Sequence, residues 1–205
     1  MDNIIINVGR QLGSGGHDIG RMLALDFGAT YYDRELLNLA AKESGFSEKI
    51  FEENDEKKGF FRSLFNVQTP HLGGGGLYKS NFSQESLFQF QSDAIRKAAE
   101  KGSCVFVGRC ADYILRDFKN VVNIFITASM EFRVEQVMSR RGGTPEQVRH
   151  FIEQGESHRA QYYNYYTGKK WGAAESYDLC IDSSILGLVE TEKLIAAFIR
   201  KQFGL

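Results

Sequence analysis

The chain has 205 residues, 42% of them hydrophobic, which predicts one folded domain, residues 1–205, with a substantial core. The 25 lysines and arginines nearly balance 26 aspartates and glutamates, so the basic excess typical of nucleic-acid-binding proteins is missing and any anion site has to be local. No apolar run is long enough to span a membrane, and the N-terminus lacks a signal-peptide pattern. We expect a cytoplasmic protein that binds neither nucleic acid nor membranes, as a monomer or a homodimer.

Short apolar runs that predict strands alternate along the chain with amphipathic runs that predict helices. The predicted strands are 4–8, 30–32, 103–107, 121–127 and 177–182, and the predicted helices are 18–27, 34–43, 84–100, one beginning at Thr144, and 188–202. This alternation predicts an α/β fold in which a parallel, five-stranded sheet lies between two layers of helices. Ligands bind such sheets beyond the carboxyl ends of the strands.

Capping signals mark the starts of two helices. Ser83 is the expected N-cap of helix 84–100. Thr144 is followed by Pro145 and, three residues after the threonine, by Gln147, which together predict a capping box.

Residues 56–82 interrupt the alternation, and the run Gly73–Gly76 within them predicts a flexible insert. The cysteines lack C-x-x-C spacing, and Cys104 and Cys180 fall in strand-like runs. We expect both to be free, buried thiols in a reducing compartment.

A glycine-rich segment, GSGGHDIG (13–20), lies between the first strand and the first helix. Backbone N–H groups in such a turn can converge on a phosphate, assisted by the positive end of the helix that follows. Gly13, Ser14, Gly15 and Gly16 are therefore candidate phosphate-binding residues. The alternative is a tight strand-to-helix turn without a ligand.

The segment lacks the lysine that phosphate-binding loops of the G-x-x-x-x-G-K-[ST] type carry. Gly16 stands at the lysine position, His17 follows, and Asp18 replaces the hydroxyl residue. Arg10 and His17 are the nearby candidates for binding phosphate. Asp18 is a candidate Mg²⁺ ligand, and the alternative is an acidic residue that complements the helix dipole.

Three stretches resemble nucleoside monophosphate kinases, in particular the cytidylate kinase-like family. They are GRQLGSGGHDIG with YYDRELL, then VGRCADYIL followed by a strand ending in Thr127-Ala128-Ser129, and Glu156-x-x-Arg159 shortly before the last strand. The resemblance runs from residue 4 to about 55 and from 84 to 202. Within it, Cys110 stands where cytidylate kinases have aspartate after Gly-Arg, and Glu156 stands where they have aspartate.

The resemblance implies a P-loop NTPase fold with a small mobile NMP-binding and lid region, the lid and its connecting helices covering 133–171. It also implies ATP and Mg²⁺ as donor and cofactor, and a nucleoside monophosphate, CMP or dCMP first, as acceptor. The implied catalytic residues are Arg10, Arg140 and Arg141, with Arg133 also in the lid-like segment. The implied acceptor-binding residues are Asp33, Arg34, Arg109, Glu156 and Arg159.

Several of these residues also have a simpler interpretation. Asp33 fits an N-cap of helix 34–43, Glu156 and Arg159 fit an exposed ion pair on one helix, and the lid arginines fit solvated surface positions. The missing lysine also leaves two other functions open. One is a nucleotide-binding regulatory module with a degenerate loop and little kinase activity, and the other is a kinase for another small acceptor.

Overall fold

A computed structural model describes residues 3–33 and 77–205, with side chains in the second range from residue 85 onward. The chain divides into two compact units, one formed by Met1–Arg34 with Ile95–Leu205 and the other by Glu35–Ala94. The expected helix 34–43 and residues 56–76 of the expected insert lie outside the described residues.

The described residues form strands and helices in strict alternation over most of their length. The strands are β1 (Ile5–Arg10), β2 (Thr30–Tyr32), β3 (Cys104–Val107), β4 (Val121–Thr127) and β5 (Leu179–Asp182). The helices are α1 (Gly16–Asp26), α2 (Leu77–Lys101), α3 (Ala111–Ile114), α4 (Met130–Arg141), α5 (Pro145–Thr167) and α6 (Ser183–Phe203), with a 3₁₀ turn at Ala174–Ser176.

All five strands are parallel and lie in the order β2-β3-β1-β4-β5. The predicted fold class is confirmed. β1 occupies the centre of the sheet, with Ile5 opposite both Cys104 of β3 and Val121 of β4. The chain therefore leaves β1 at the middle of the sheet's carboxyl edge, where parallel α/β folds place their ligands.

One face of the sheet packs against α1 and α6. Alternate residues of the central strands point to this face and meet the apolar stripes of the two helices. Fully buried members of this core include Ile6, Val8, Ile19, Leu23, Val105, Ile124, Ile126, Ile195 and Ile199. Each such side chain contributes about 1.5–3 kcal/mol to the free energy of unfolding, so this core gives β1 and α1 a rigid base.

The opposite face is rich in aromatic contacts. Phe106 of β3 is fully buried and stacks on Tyr32 with ring centroids 5.2 Å apart. Phe125 of β4 meets Trp171 edge-on at 5.4 Å and Tyr177 at 4.8 Å. These rings attach the segment after α5 to the sheet and explain the aromatic residues there as packing residues.

Helix boundaries confirm one capping prediction and correct another. The hydroxyl of Thr144 accepts from the amide of Gln147, and the Gln147 side chain accepts from the Thr144 amide, so the capping box is present. Ser83 is not an N-cap, because α2 extends back to Leu77. The residues between Leu77 and Ser83 include neither proline nor glycine, so nothing stops the helix before it reaches the glycine run.

The cysteines also divide between a confirmed and a wrong prediction. Cys104 is buried, but Cys180 is exposed. β5 is an edge strand, and Leu179 and Ile181 turn toward the core, so alternation directs Cys180 away from it. Among the described residues, every helix is too short or too polar to cross a bilayer.

Candidate functional site

The glycine segment forms a turn between the end of β1 at Arg10 and the start of α1 at Gly16. Gly13 and Gly15 have φ of +84° and +74°, a conformation that favours glycine. A Cβ on Gly13 would lie 2.7 Å from the carbonyl oxygen of Arg133, and one on Gly15 would lie 2.2 Å from Cδ2 of Leu188. Backbone conformation therefore favours glycine at both positions, and close packing against the backbone of Arg133 also requires it at Gly13.

Serine hydroxyls fix the conformation of this turn. Ser14 is fully buried, and its Oγ donates to the carbonyl of Gln11 at 3.0 Å. Ser183, the first residue of α6, donates its hydroxyl hydrogen to the carbonyl of Ser14 at 2.7 Å, and its Oγ lies 3.1 Å from the carbonyl oxygen of Thr127. The Ser14 side chain thus acts within the turn, which leaves its backbone as the part that could meet a ligand.

Arg10 fills the space beside Gly16, the residue at the expected lysine position. A Cβ on Gly16 would lie 2.5 Å from Cβ and 2.8 Å from Cγ of Arg10. The guanidinium end lies against Gly108, where an added Cβ would be 2.1 Å from Nη1 of Arg10. The arginine side chain therefore runs from the end of β1 past the glycine turn to the end of β3, and both glycines are needed to admit it.

A cavity of about 200 Å³ opens beside the turn. It is lined by Arg10, Gln11, Leu12, Gly13, Gly15, Gly16, His17, Gln136, Val137, Arg140, Arg141 and Arg159. The structure therefore brings together the glycine turn and four of the arginines singled out in the sequence. No Asp or Glu is among the lining residues, which makes this a strongly cationic cavity.

The two arginines at the end of α4 have partners outside the cavity. Nη2 of Arg140 donates to Oδ2 of Asp18 at 2.6 Å, and both side chains are partly exposed. The guanidinium of Arg141 lies 3.9 Å from the ring centre of Phe151. Within residues 3–33 and 77–205 no three His, Cys, Asp or Glu side chains come together as a metal cluster.

His17 is uncharged at neutral pH. Burial, followed by the positive charge of Arg10, lowers the pKa of its imidazole to about 4. A neutral imidazole supplies little of the positive charge that a missing lysine would have carried, so the cavity's charge comes from its arginines.

Glu156 and Arg159 lie one turn apart on α5 and contact different partners. Glu156 accepts from Nη1 of Arg133, an α4 residue whose side chain is only 7% exposed. Arg159 donates from Nη1 to the carbonyl of Arg10 at 3.4 Å. Glu156 thereby links α5 to α4 beneath the glycine turn, while Arg159 lies at the cavity.

We expect Glu156→Ala to lower the free energy of unfolding by about 3 kcal/mol, because it leaves Arg133 buried and unbalanced in charge. Thermal or urea unfolding measures this loss. Glu153→Ala, at an exposed position of the same helix, is the control and should change stability by less than about 0.5 kcal/mol. An unchanged melting temperature for Glu156→Ala would mean that the ion pair has no structural role.

The segment after β3 has an unusual backbone. Gly108, Arg109 and Cys110 have φ of +79°, +61° and +57° in succession. Left-handed conformations cost non-glycine residues free energy and persist only where surrounding contacts impose them. The Arg109 guanidinium lies 5.7 Å from the ring centre of Tyr162, and the Cys110 side chain is buried.

Asp112, two residues after Cys110, ties this turn to α5. Tyr163 donates its phenol hydrogen to Oδ2 of Asp112 at 2.6 Å. Burial raises the pKa of the Asp112 carboxyl, although the Tyr163 hydrogen bond opposes the shift. The Asp112 carboxylate therefore links the start of α3 to α5 through Tyr163.

Because its folded-state pKa is raised, Asp112 costs stability as pH rises through its unfolded value of 3.8 toward the folded value. Asp112→Asn, which keeps a side-chain acceptor for Tyr163, should therefore raise the melting temperature at pH 7. The gain should shrink as pH falls through the raised folded-state pKa toward 3.8, and it should be lost below that value. Melting curves across this pH range measure it, and a gain independent of pH would rule out the carboxyl as its source.

The remaining predicted residues are less completely described. Asp33 follows β2 directly, and its charge acts on His17. Arg34 lies outside the described residues.

Sequence reasoning missed Tyr31, Gly108 and Ser183. Tyr31 bonds His17, Gly108 admits Arg10, and Ser183 fixes the glycine turn. Tyr31 lies in a predicted strand, and Gly108 and Ser183 each directly follow one. Their position at the carboxyl ends of predicted strands is the signal that could have identified them.

Comparison with solved structures supports this architecture. An uncharacterized protein from Eubacterium ventriosum is 29% identical with a TM-score of 0.75, covering 98% of this chain and 99% of that one. Shikimate kinase from Bacteroides thetaiotaomicron is 12% identical (TM-score 0.54, 100% of both chains), and a gluconokinase from Sinorhizobium meliloti is 11% identical (TM-score 0.57, 98% and 93%). These two likenesses show a P-loop kinase fold. None of the curated proteins matches this sequence significantly.

The family comparison is more specific. The model of the cytidylate kinase-like family matches residues 5–185, which include all five described strands, the glycine turn and the turn Gly108–Cys110 after β3. This confirms the resemblance inferred from the three sequence stretches. Family and fold together support phosphoryl transfer as the class of reaction. The chain belongs to the cytidylate kinase-like family.

Proposed function

We propose that this protein transfers the γ-phosphoryl group of ATP to a nucleoside monophosphate, with CMP and dCMP as the first acceptors to test. The observation that carries the proposal is the arginine-lined cavity beside the glycine turn at the carboxyl end of β1. Phosphoryl transfer requires alignment of the reactants and neutralisation of charge more than covalent participation by the protein.

The glycine turn would hold the donor phosphates through its backbone. Gly13, Gly15 and Gly16 all line the cavity and have no side chain to keep an anion away. The amides at the start of α1 and the helix dipole favour a negative group at that point. Ser14 would contribute only its amide, since its hydroxyl bonds within the turn.

Arginines would supply the charge that a lysine supplies in related loops. Arg10 occupies the space beside Gly16, and its planar guanidinium can bind two phosphate oxygens at once. Arg140 and Arg141 lie at the end of α4, at the start of the expected lid region 133–171, and would neutralise charge on the transferred group.

Mg²⁺ fits the residues present, with Asp18 as its protein ligand. Mg²⁺ is commonly bound by one or two carboxylates together with substrate phosphates and water. Asp18 offers a partly exposed carboxylate in the first turn of α1. When bound, the ion would neutralise phosphate charge. Asp18 would then exchange its contact with Arg140 for the metal, which would leave Arg140 available to the phosphates.

The acceptor would bind between Arg109, Arg159 and the residues after β2, Asp33 and Arg34. Arg109 would bind the acceptor phosphate through its guanidinium. The Glu156 carboxylate already accepts a hydrogen bond from Arg133. To contact a cytosine base as well, this carboxylate would have to bind Arg133 and the base at the same time. This observation favours a second candidate, transfer to another small acceptor.

A coupled assay of ADP release distinguishes these functions. With ATP and Mg²⁺ we expect release that depends on CMP or dCMP and exceeds that with AMP, UMP, shikimate or gluconate. A preference for shikimate, gluconate or another non-nucleotide would select the second candidate. ATP binding without ADP release for any acceptor would contradict both kinase functions and indicate a regulatory module.

A further inference from the structure

Side chains from three elements form a continuous chain at the wall of the cavity. Nδ1 of His17, on α1, lies 2.9 Å from the hydroxyl of Tyr31 on β2. Nε2 of the same ring lies 3.3 Å from Nη2 of Arg10 at the end of β1. One imidazole therefore connects the central strand β1 through its two nitrogens to β2, which lies beyond β3 in the sheet.

The chemistry of the partners decides which ring nitrogen carries the proton. A guanidinium can only donate hydrogen bonds, so Nε2 facing Arg10 must be the acceptor. The single proton of the neutral ring is then on Nδ1, which donates to the Tyr31 oxygen. A doubly protonated ring would place an N–H group and a positive charge against the Arg10 guanidinium.

We propose that His17 is a positioning residue whose Nε2 accepts a hydrogen bond from the Arg10 guanidinium and holds it at the cavity, and that His17 does not itself bind phosphate. This inference rests on the proposed function only for its effect on catalysis. The hydrogen-bond arrangement of His17 stands independently of any activity.

The space around Arg10 supports this role. A Cβ at Gly108 would collide with the guanidinium of Arg10, and a Cβ at Gly16 would collide with its stem. The two glycines therefore leave open the space that the Arg10 side chain occupies. The contact with His17 adds direction, because a hydrogen bond to Nη2 restricts rotation of the planar group.

Nitrogen-15 NMR of the imidazole rings of the whole protein tests the arrangement without any substrate. We expect His17, assigned by the loss of its signals in His17→Gln, to carry its proton on Nδ1 and to leave Nε2 as the hydrogen-bond acceptor. A proton fixed on Nε2 would overturn the proposal.

A double-mutant cycle tests the catalytic consequence. His17→Leu should lower kcat/KM at least tenfold in the wild type but by less than twofold in an Arg10→Ala background, since its role passes through Arg10. His17→Gln, whose amide oxygen replaces Nε2 as acceptor, should recover most of the loss. Equal losses in both backgrounds would show that His17 acts independently of Arg10 and would overturn the proposal.

Controls separate this proposal from the proposed function. Tyr32→Phe, at the next residue of β2, should leave kcat/KM and the His17 spectrum unchanged. If the NMR result holds but Arg10→Ala retains full activity, the proposed role of Arg10 fails while the His17 arrangement stands. If kinase activity depends on Arg10 but His17 carries its proton on Nε2, the positioning role fails alone.

Discussion

Replacing Arg10 with alanine is expected to lower kcat/KM for phosphoryl transfer by about 10²–10³-fold, the usual cost of removing one preorganised donor to a transition state. Arg10 lies beside the glycine turn, where its guanidinium would meet the donor phosphates. The free energy of unfolding should fall by no more than about 1 kcal/mol, because the side chain lies at a cavity and not in the apolar core. Steady-state kinetics and urea unfolding measure the two effects.

Arg149→Ala is the matched control for Arg10. Arg149 is an exposed arginine of α5 that pairs with Glu131 and is not among the residues lining the cavity. It removes the same charge from the protein and should leave kcat/KM within about twofold of the wild type, since an exposed pair contributes little. Equal effects of the two substitutions would show that only net charge matters, and the specific role of Arg10 would fail.

Restoring lysine at position 16 is expected to abolish most of the activity, contrary to what the loop motif alone suggests. The Cβ of any residue at position 16 would lie 2.5 Å from Cβ of Arg10 and 2.8 Å from its Cγ. Gly16→Lys must therefore displace the Arg10 stem, the turn, or both. We expect at least a 10²-fold loss in kcat/KM, measured by the coupled assay, because misplacement of a positioning group by about 1 Å can cost that much.

An exchange of the two residues tests whether arginine and lysine serve the same purpose. In Arg10→Gly/Gly16→Lys the colliding Cβ and Cγ atoms of residue 10 are gone, and the lysine gains the space that Arg10 occupied. The double variant should be at least tenfold more active than Gly16→Lys alone. Gly16→Ala adds a Cβ at position 16 without adding a charge, so its activity measures the steric effect alone. Full activity of Gly16→Lys by itself would contradict the account of why glycine stands there.

The alternation of apolar and amphipathic runs was enough to predict the fold. The central strands are buried on both faces, so Val105, Phe106 and Ile124 appear as continuous apolar runs whatever their neighbours. Thr144, Pro145 and Gln147 are local in sequence, and the capping box they form was predictable for that reason. The N-cap prediction at Ser83 was wrong because the preference of serine for an N-cap position is too weak to end a helix whose preceding residues can also be helical.

The site was only partly predictable, since its contacts join residues far apart in the chain. The glycine turn and the arginines were recognisable as residue types, but the Glu156 contact with Arg133 depends on how α4 packs against α5. The path of β1 places the Arg10 side chain beside Gly16, and only this path explains why a side chain at position 16 is excluded. The neutral state of His17 likewise depends on burial and on arginines from β1 and α5.

Hydrogen exchange over residues 9–20, with and without saturating Mg·ATP, is the most direct test of how this loop works without a lysine. If main-chain amides of the glycine turn bind the polyphosphate and Arg10 completes the charge, exchange at Gly13–His17 should slow at least tenfold in the wild type and much less in Arg10→Ala. Unchanged exchange in the wild type at a concentration of ATP that the protein turns over would contradict the account.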